Sequence, residues 1–308
     1  ETMADLPERI AGKDAKHTFR PISEGAERWL NRPIQCLDHG FVYLVDYTGN
    51  DESVVQAARV SYGAGTKKTS DDRALIRYLR RHRHTTPFEM VEFKFHCRMP
   101  IFVARQWIRH RTANVNEYSG RYSVMKDEFY MPDSSVIRRQ SATNRQGRSE
   151  ELTDVEKTTI RELLAEDYLR TYSHYKEFVE EFDLARELAR VGLSVANYTE
   201  WYWKIDLHNL FHFLGLRLDS HAQYEIRVYA EAIARIIRDA VPICFEAFED
   251  YEFGSLRLSK PEITFLQKNR LPMSEEGARQ AIFAQFSNKR ETEEFIEKLR
   301  KIGFILGS

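Results

Sequence analysis

The stretch VEFKFHCRM, residues 91–99, decides how this chain folds, because it alternates apolar and polar side chains at every position. A period of two is the pattern of a β-strand that buries one face. The apolar phase includes Cys97, which is therefore expected in the core. A second run, FVYLVDY at 41–47, is rich in β-branched and aromatic residues and stops at the turn sequence Thr48–Asp51. The first part of the chain is therefore predicted to supply strands.

Helical periodicity follows the strand at 91–99. Pro100 precedes the apolar stretch IFVARQWI (101–108), and proline suits the first turn of a helix. Residues 134–149, rich in Ser, Arg and Gln, are interpreted as a surface loop. Ser70 is the predicted N-cap of an upstream helix, and Pro242 is predicted to bend a long one. Helices are also predicted over 53–60, 73–81, 153–179, 184–191, 207–218, 222–240, 274–286 and 291–302.

The strongest functional signal is RHRTANVNEYSGRY, residues 109–122, which directly follows the 101–108 helix. Its cations can bind an anion, while Asn116, Glu117 and Ser119 can hydrogen-bond a heterocycle. Gly120 allows close approach of the backbone to a ligand. The segment is therefore interpreted as a ligand-binding loop. The alternative for its first three residues is a solvated helix end whose charges only complement the helix dipole.

Three segments, in this order along the chain, resemble one enzyme family. They are HTTPFE at 84–89, RHRTANVNEYSGRYS at 109–123 and LRLDSHAQYEIR at 216–227. The second is similar to the arginine-histidine-arginine, seven residues, serine signature of flavin-dependent thymidylate synthases, with Ser119 closing it. The first resembles that family's flavin-contacting turn and the third its nucleotide-binding helix start. The resemblance covers roughly residues 35 to 250.

The resemblance implies a reductive methylation of dUMP to dTMP. In that reaction 5,10-methylenetetrahydrofolate donates the one-carbon unit, and FAD, reduced by NADPH, supplies the hydride. The partners implied are therefore dUMP, folate and NADPH. The resemblance also implies a homotetramer whose active sites lie between subunits.

The family pattern assigns site residues one by one. Those expected at the nucleotide are Gln106, Glu117, Ser119, Gly120, Arg121, Tyr122, Arg190 and Arg217. Those expected at the flavin or the folate are His84, Thr86, Glu89, Arg109, His110, Arg111, Asp206, His208 and His212. Arg217, Ser119 and Arg190 are the positions expected at the chemistry. Ser119 is expected to act by binding, because nothing in the sequence arranges a base to activate it as a nucleophile. Many relatives carry Asn-type and Arg-type residues where Asp206, His208 and His212 stand here.

The expected fold is α+β, often called α/β: a mostly antiparallel sheet covered by helices, with a helix-rich second half. At 308 residues and 42% hydrophobic content, the chain is long enough for a large core. We divide it into an N-terminal extension (1–34), a catalytic domain (35–254) and a C-terminal helical extension (255–308). The last shows only amphipathic periodicity and is interpreted as a packing or assembly element.

A metal-dependent hydrolase is one alternative. His208 and His212 share a helix face at a spacing of four, with His221 or Asp219 as a third ligand. The intervening Glu of the zinc-protease motif is missing, so no metal is expected.

A module for single-stranded nucleic acid is the other alternative. It would use the arginines of 73–83 and 105–111 with neighbouring aromatic residues as stacking partners. A formal net charge of -1 argues against a general polyanion binder, so no nucleic-acid partner is expected.

The three cysteines, Cys36, Cys97 and Cys244, are widely spaced and odd in number, which argues against a disulfide framework or a Cys-x-x-Cys motif. A reducing cytoplasm is the expected compartment. None of the three lies in a ligand segment, so no catalytic thiolate is expected. No stretch is long and apolar enough to span a bilayer, and Glu1–Leu6 lacks the apolar core of a signal peptide, so no membrane partner is expected.

Overall fold

The computed structural model describes residues 20–60, 71–140, 148–269, 274–286 and 289–304. The chain divides into two compact units, with the boundary after Phe248.

The first unit is built on a five-stranded sheet in which every pair of neighbouring strands is antiparallel. The strands in chain order are β1 (Ile34–Cys36), β2 (Gly40–Thr48), β3 (Glu92–Pro100), β4 (Asn114–Glu117), β5 (Arg138–Gln140), β6 (Arg148–Glu151) and β7 (Tyr198–Asp206). The sheet order is β1-β2-β3-β7-β4, and β5 pairs with β6 separately. The strands predicted over 41–47 and 91–99 are confirmed as β2 and β3.

Helices surround this sheet. In the first unit they are α1 (Glu24–Trp29), α2 (Asp51–Val60), α3 (Asp72–Arg81), α4 (Ile101–Trp107), α5 (Asp154–Glu180), α6 (Arg186–Ala189), α7 (Leu207–Arg217), α8 (Tyr224–Ala240) and α9 (Pro242–Phe248). Short 3-10 turns cover Thr86–Met90, Ser134–Val136 and Arg190–Gly192. The expected antiparallel sheet with helices around it is confirmed.

The apolar phase of β3 forms the centre of the core, as its alternation predicts. Phe93, Phe95 and Cys97 are buried there, because the sheet face that carries them is covered by helices. Trp107 of α4 lies over the same face, stacked on Phe213 with ring centroids 5.1 Å apart. Aromatic pairs of this kind stabilise by about 0.5–1.5 kcal/mol beyond the area that they bury. Trp107 therefore holds the end of α4 firmly against the sheet.

The predicted loops need two corrections. Residues 114–117 form strand β4, which pairs with β7, rather than a free loop. Residues 134–149 contribute a 3-10 turn and strands β5 and β6, with 141–147 outside the described residues. Extended backbone at a sheet edge carries polar side chains without a clear period of two, so composition alone resembles a loop.

No strand was predicted over 198–206, where the structure has β7, which lies between β3 and β4 in the sheet. Its alternation is visible in hindsight, since Trp201, Trp203 and Ile205 are buried in phase. Two helix limits also differ from expectation. Pro242 opens a new helix, α9, instead of bending α8, and Asp71 is the N-cap of α3. The predicted cap Ser70 lies outside the described residues.

Residues 23–29 pack against α8 through one side of α1, although they were assigned to an extension. The Ser23 hydroxyl donates to the Ala240 carbonyl at 2.6 Å, and the Trp29 indole Nε1 donates to Asp239 at 2.8 Å. Gly25 and Ala26 are buried in the contact with α8. Ser23, Gly25 and Ala26 are therefore part of the first unit's core.

The second unit is helical. Its helices are α10 (Lys260–Lys268), α11 (Glu275–Phe286) and α12 (Lys289–Lys301), so the helices predicted over 274–286 and 291–302 are confirmed. Its apolar core consists of Phe265, Ala278, Ile282, Phe295, Ile296 and Leu299. Across the described parts of both units, no helix combines the length and the apolarity needed to cross a bilayer.

Candidate active site

The polar segment after α4 begins where buried Trp107 ends the helix. From Ile108 onward the chain turns outward, so the side chains of Arg109 and Arg111 are exposed. Within the described ranges, neither guanidinium forms an ion pair or a hydrogen bond. Two cations thus project from a rigid anchor, and both remain available to an anionic ligand.

A second feature is the contact between His110 and Arg217. The Arg217 Nε donates to the His110 Nε2 at 3.1 Å, and the His110 ring also lies edge-on to Phe213 at 5.0 Å. Burial, the Arg217 charge and the nearby His212 ring together lower the pKa of His110 to about 4. Burial also lowers the pKa of Arg217. At neutral pH the imidazole is therefore uncharged and does not compensate the charge of Arg217, which forms no ion pair with the other residues that the structure describes.

A third feature links α4 to the start of α8. Gln106 Nε2 donates to Gln223 Oε1, and Gln223 Nε2 donates to Glu225 Oε2 at 2.9 Å. The other oxygen of Glu225 accepts from the Tyr130 hydroxyl at 3.0 Å. Gln223 and Glu225 were not predicted as site residues. Their only sequence signal was their position inside the 216–227 segment.

A fourth feature is the turn Ser119–Tyr122, which lies against Arg190. A Cβ on Gly120 would stand 3.2 Å from Arg190 Cδ and 2.7 Å from Met125 Sδ, so only glycine fits there without displacement. The Arg121 side chain is exposed and pairs with Glu187 at 3.2 Å. Arg190 and Ser119, distant in sequence, are thus brought to one place.

The neighbouring side chains of this region point in different directions. Glu117, at the end of β4, accepts a hydrogen bond from the buried Thr199 hydroxyl at 2.7 Å, which fixes its carboxylate. Tyr122 is 73% exposed, whereas its carbonyl accepts from Arg186 at 2.6 Å. Glu187 and Arg186 were not predicted, because a short amphipathic helix gives no functional signal by itself.

The His84 turn forms a separate region. The His84 N–H donates to the Leu79 carbonyl at 2.9 Å, and Arg83 adopts a left-handed φ of 59° to make the turn. The Thr86–Met90 turn is anchored by buried Phe88. Thr86 is exposed and Glu89 half-buried, so both side chains are accessible.

Helix α7 begins beside this turn. The Leu207 N–H donates to the Val91 carbonyl at 2.8 Å, immediately after the turn. Asp206 caps the helix by accepting from the Asn209 N–H at 3.0 Å, so its carboxylate stabilises the N-terminus of α7. The rings of His212 and His110 lie 5.8 Å apart, which connects the far part of α7 to the Arg217 cluster.

Most of the predicted residues therefore form three groups within one chain: the His84 turn with the start of α7, the His110–Arg217 cluster, and the Gly120–Arg190 turn. Arg121 and Arg217, both assigned to the nucleotide, have different partners, Glu187 and His110. In the part of the chain that the structure describes, no three His, Cys, Asp or Glu residues are grouped as metal ligands.

The side chains of the His84 turn, together with Arg109 and Arg111, fit a flavin dinucleotide. Exposed guanidinium groups at Arg109 and Arg111 suit a diphosphate, and the imidazole, hydroxyl and carboxylate of His84, Thr86 and Glu89 suit ribose and ring heteroatoms. These groups lie on anchored elements rather than on a loose loop.

All three cysteines are buried and form no disulfide. Burial raises the pKa of Cys36 to about 12 and raises the pKa values of Cys97 and Cys244 as well. Cys36 ends strand β1. The expected core position of Cys97 is confirmed.

Comparison with known proteins connects this geometry to one family. Residues 43–243 match the family model Thy1, described as thymidylate synthase complementing protein. The chain is 52% identical over 269 residues to a flavin-dependent thymidylate synthase of Ruegeria pomeroyi, a match that covers 85% of this chain and 89% of the relative. It is 54% identical to the protein of that name from Dictyostelium discoideum, over 91% of this chain and 89% of the relative.

A solved structure gives the same answer for the fold. The crystal structure of a UMP/dUMP methylase, PolB, from Streptomyces cacaoi bound with 5-Br UMP superposes with a TM-score of 0.64 at 32% sequence identity. The match covers 71% of this chain and 98% of that chain.

Proposed function

Since the chain belongs to the flavin-dependent thymidylate synthase family, we propose that it methylates dUMP to dTMP. The one-carbon donor is 5,10-methylenetetrahydrofolate, and FAD with NADPH is the hydride source. The observation that carries this assignment is the Arg217 cluster. Among the described residues, its guanidinium is paired with a neutral imidazole and with no carboxylate, so its charge is available to polarise a substrate.

The residues that would hold FAD are those of the His84 turn, Arg109 and Arg111. Bound FAD supplies the hydride that converts the transferred carbon into a methyl group. The protein's contribution is to bind and orient, because positioning and fixed charges account for most of what a protein adds to cofactor chemistry.

The nucleotide is assigned to the other groups. Arg217 is partly desolvated, which strengthens its interaction with a uracil carbonyl relative to water. Arg121 and Arg190 flank Gly120, so we assign them to the phosphate. Ser119 and Glu117 contribute hydrogen bonds, and Glu117 is held in place by Thr199. His110, uncharged at neutral pH, orients Arg217 by accepting its Nε–H.

We further propose a homotetramer with active sites between subunits, in the cytoplasm. Helix α5 supports an assembly role, since Val155, Leu163 and Leu169 expose large apolar side chains along it. The three unpaired thiols suit a reducing compartment. We also propose that the chain consists of an N-terminal extension (1–34), a catalytic domain (35–254) and a C-terminal helical extension (255–308).

The purified protein tests the proposed function directly. It should be yellow or take up FAD stoichiometrically, and FAD should raise its Tm because a ligand bound only by the folded state stabilises it. With dUMP, 5,10-methylenetetrahydrofolate and NADPH it should form dTMP, and a reaction without NADPH is the control. If neither bound flavin nor a thermal shift is seen, and no dTMP forms, the proposal is wrong.

A further inference from the structure

We propose that Glu225, acting through Gln223, is a positioning residue that fixes which way the carboxamide of Gln106 turns. The proposal rests on the proposed function only for the identity of the ligand, dUMP. Glu225 is the second residue of α8 and is 2% exposed. Both of its carboxylate oxygens accept hydrogen bonds, one from the Tyr130 hydroxyl and the other from Gln223.

The direction of these bonds follows from the chemistry of Glu225. An ionised carboxylate can only accept hydrogen bonds. Gln223 must therefore turn its NH₂ toward Glu225, which leaves its Oε1 facing Gln106. Gln106 in turn must offer an N–H to that oxygen. The Glu225 carboxylate thus fixes the orientation of the Gln223 carboxamide, and Gln223 in turn fixes that of Gln106.

This orientation determines which polar atoms of Gln106 can hydrogen-bond a ligand. In the observed orientation, Oε1 and one N–H of Gln106 form no hydrogen bond with the described residues, so the side chain presents an acceptor and a donor together to a ligand. With the carboxamide turned over, Oε1 would face Gln223, and both N–H groups would point away with no acceptor between them. The relay thereby decides the hydrogen-bonding character that Gln106 offers to the nucleotide.

The surroundings keep the relay rigid. Leaving this oxygen of a buried carboxylate without the Gln223 donor is unfavourable, so Gln223 is held in its orientation. Gln223 precedes α8 without making a side-chain capping bond to it, which leaves its carboxamide committed to the relay. The backbone of α4 at Gln106 is anchored by the neighbouring Trp107, which is fully buried.

The primary test is Glu225→Gln. A glutamine at 225 both donates and accepts, so it no longer dictates the orientation of Gln223. We expect the Kd of dUMP to rise about three- to tenfold, the loss typical of one hydrogen bond, while FAD affinity stays unchanged. Tyr130→Phe is the matched control, because it removes a donor to the opposite oxygen of Glu225 but leaves the carboxylate an acceptor toward Gln223. Its dUMP affinity should stay close to that of the wild type.

An exchange of the two side chains tests the direction of the relay. In the double variant Gln223→Glu/Glu225→Gln, the acidic group at 223 again offers only acceptors to Gln106, and glutamine 225 can donate to it. We expect dUMP affinity to return toward the wild-type value. An acid at this position is also favourable beside the N-terminus of α8. A role limited to folding would not predict such a rescue.

Two results would overturn the relay. One is a folded Glu225→Gln variant that binds dUMP as tightly as the wild type; the other is an exchanged double variant that binds no better than the single one. If Glu225→Gln does not fold, Gln223→Met takes its place and should weaken dUMP binding to a similar degree. Should the wild type bind no dUMP, the proposed function fails. The relay is then judged by the ¹⁵N signal of the Gln106 carboxamide, which must move in Glu225→Gln and not in Tyr130→Phe.

Discussion

At the scale of single residues, the protonation state of His110 controls how the site is charged. Its pKa is lowered to about 4 by burial first, and then by Arg217 and His212. A protonated imidazole would repel Arg217 and could no longer accept its Nε–H. The hydrogen bond between Arg217 and His110 therefore forms only while His110 is neutral.

The titration of His110 can be followed by NMR of the imidazole. In the folded protein we expect a midpoint near pH 4, and in denaturant a midpoint near the ordinary value of 6.5. In Arg217→Ala the midpoint should rise but stay below 6.5, because burial is the larger cause. A folded-state midpoint near 6.5 in the wild type would contradict this picture.

The same pKa difference predicts a pH dependence of stability. Between pH 6.5 and about 4 the unfolded chain binds a proton at His110 that the folded chain does not. The contribution of the neutral imidazole is therefore complete above pH 6.5 and is lost as the pH falls toward 4. Urea unfolding of the wild type and of His110→Asn across this range checks it: the wild type should lose stability more steeply with falling pH. Parallel curves would contradict the prediction.

The two arginines assigned to the nucleotide give a further residue-scale prediction. Arg121→Ala and Arg217→Ala should each weaken dUMP binding roughly ten- to a hundredfold, since a charge-assisted contact is worth about 1.5–3 kcal/mol. FAD should remain bound. Ser119→Ala should do less damage, because a neutral hydroxyl contributes about 0.5–1.5 kcal/mol. Calorimetric titration with dUMP measures these differences.

Glu187 supplies the control for Arg121. Glu187→Gln removes the charge that pairs with Arg121 and leaves the arginine in place, so dUMP binding should not weaken. An equal loss of FAD and dUMP in the arginine variants would mean that the site is divided wrongly between the two ligands.

At the scale of elements, the site depends on how closely the Ser119–Tyr122 turn approaches Arg190. In Gly120→Ala the new Cβ would meet Met125 Sδ and the Arg190 side chain, so one of them must shift. We expect weaker dUMP binding with the secondary structure intact. Gly192→Ala is the matched control, because a Cβ there meets nothing within 4 Å. Equal dUMP affinities for the two variants would argue against a role of this contact in binding.

The contact between α1 and α8 gives an element-scale prediction about stability. A Cβ on Gly25 would stand 1.7 Å from the Asp239 carbonyl oxygen, and the backbone there cannot move without parting the two helices. Gly25→Ala should lower the free energy of unfolding by about 1–3 kcal/mol, the cost typical of overpacking. Arg28→Ala, on the exposed face of α1, should have little effect. Thermal unfolding distinguishes the two, and equal Tm values would mean that α1 is not docked.

At the scale of the whole molecule, the burial of all three cysteines argues against catalysis by a thiolate nucleophile. A thiolate nucleophile needs a partly exposed, electropositive setting, whereas all three thiols are buried and have raised pKa values. The variant with Cys36, Cys97 and Cys244 changed to Ala should therefore retain FAD-dependent formation of dTMP, with some loss of stability from the small cavities. A folded, FAD-loaded triple variant that makes no dTMP would disprove the assigned mechanism.

The sequence by itself determined the parts of this protein whose signal is local. The alternation at 91–99 identified β3, the helix spacings identified α7, α8, α11 and α12, and three short segments in order identified the family. A period of two or of 3.6 residues is imposed by backbone geometry and needs no knowledge of distant contacts. The expected burial of Cys97 followed from the same alternation.

Only the tertiary structure decided which side chains meet. Strand order places β7 between β3 and β4, and a polar segment becomes an edge strand because β7 offers it hydrogen bonds. Arg217 reaches His110, and Arg190 reaches Gly120, across separations that no local pattern encodes. The pKa of His110 and the Glu225 relay likewise depend on burial and on partners from other elements. Such properties arise from packing in three dimensions, which a linear pattern of residue types does not specify.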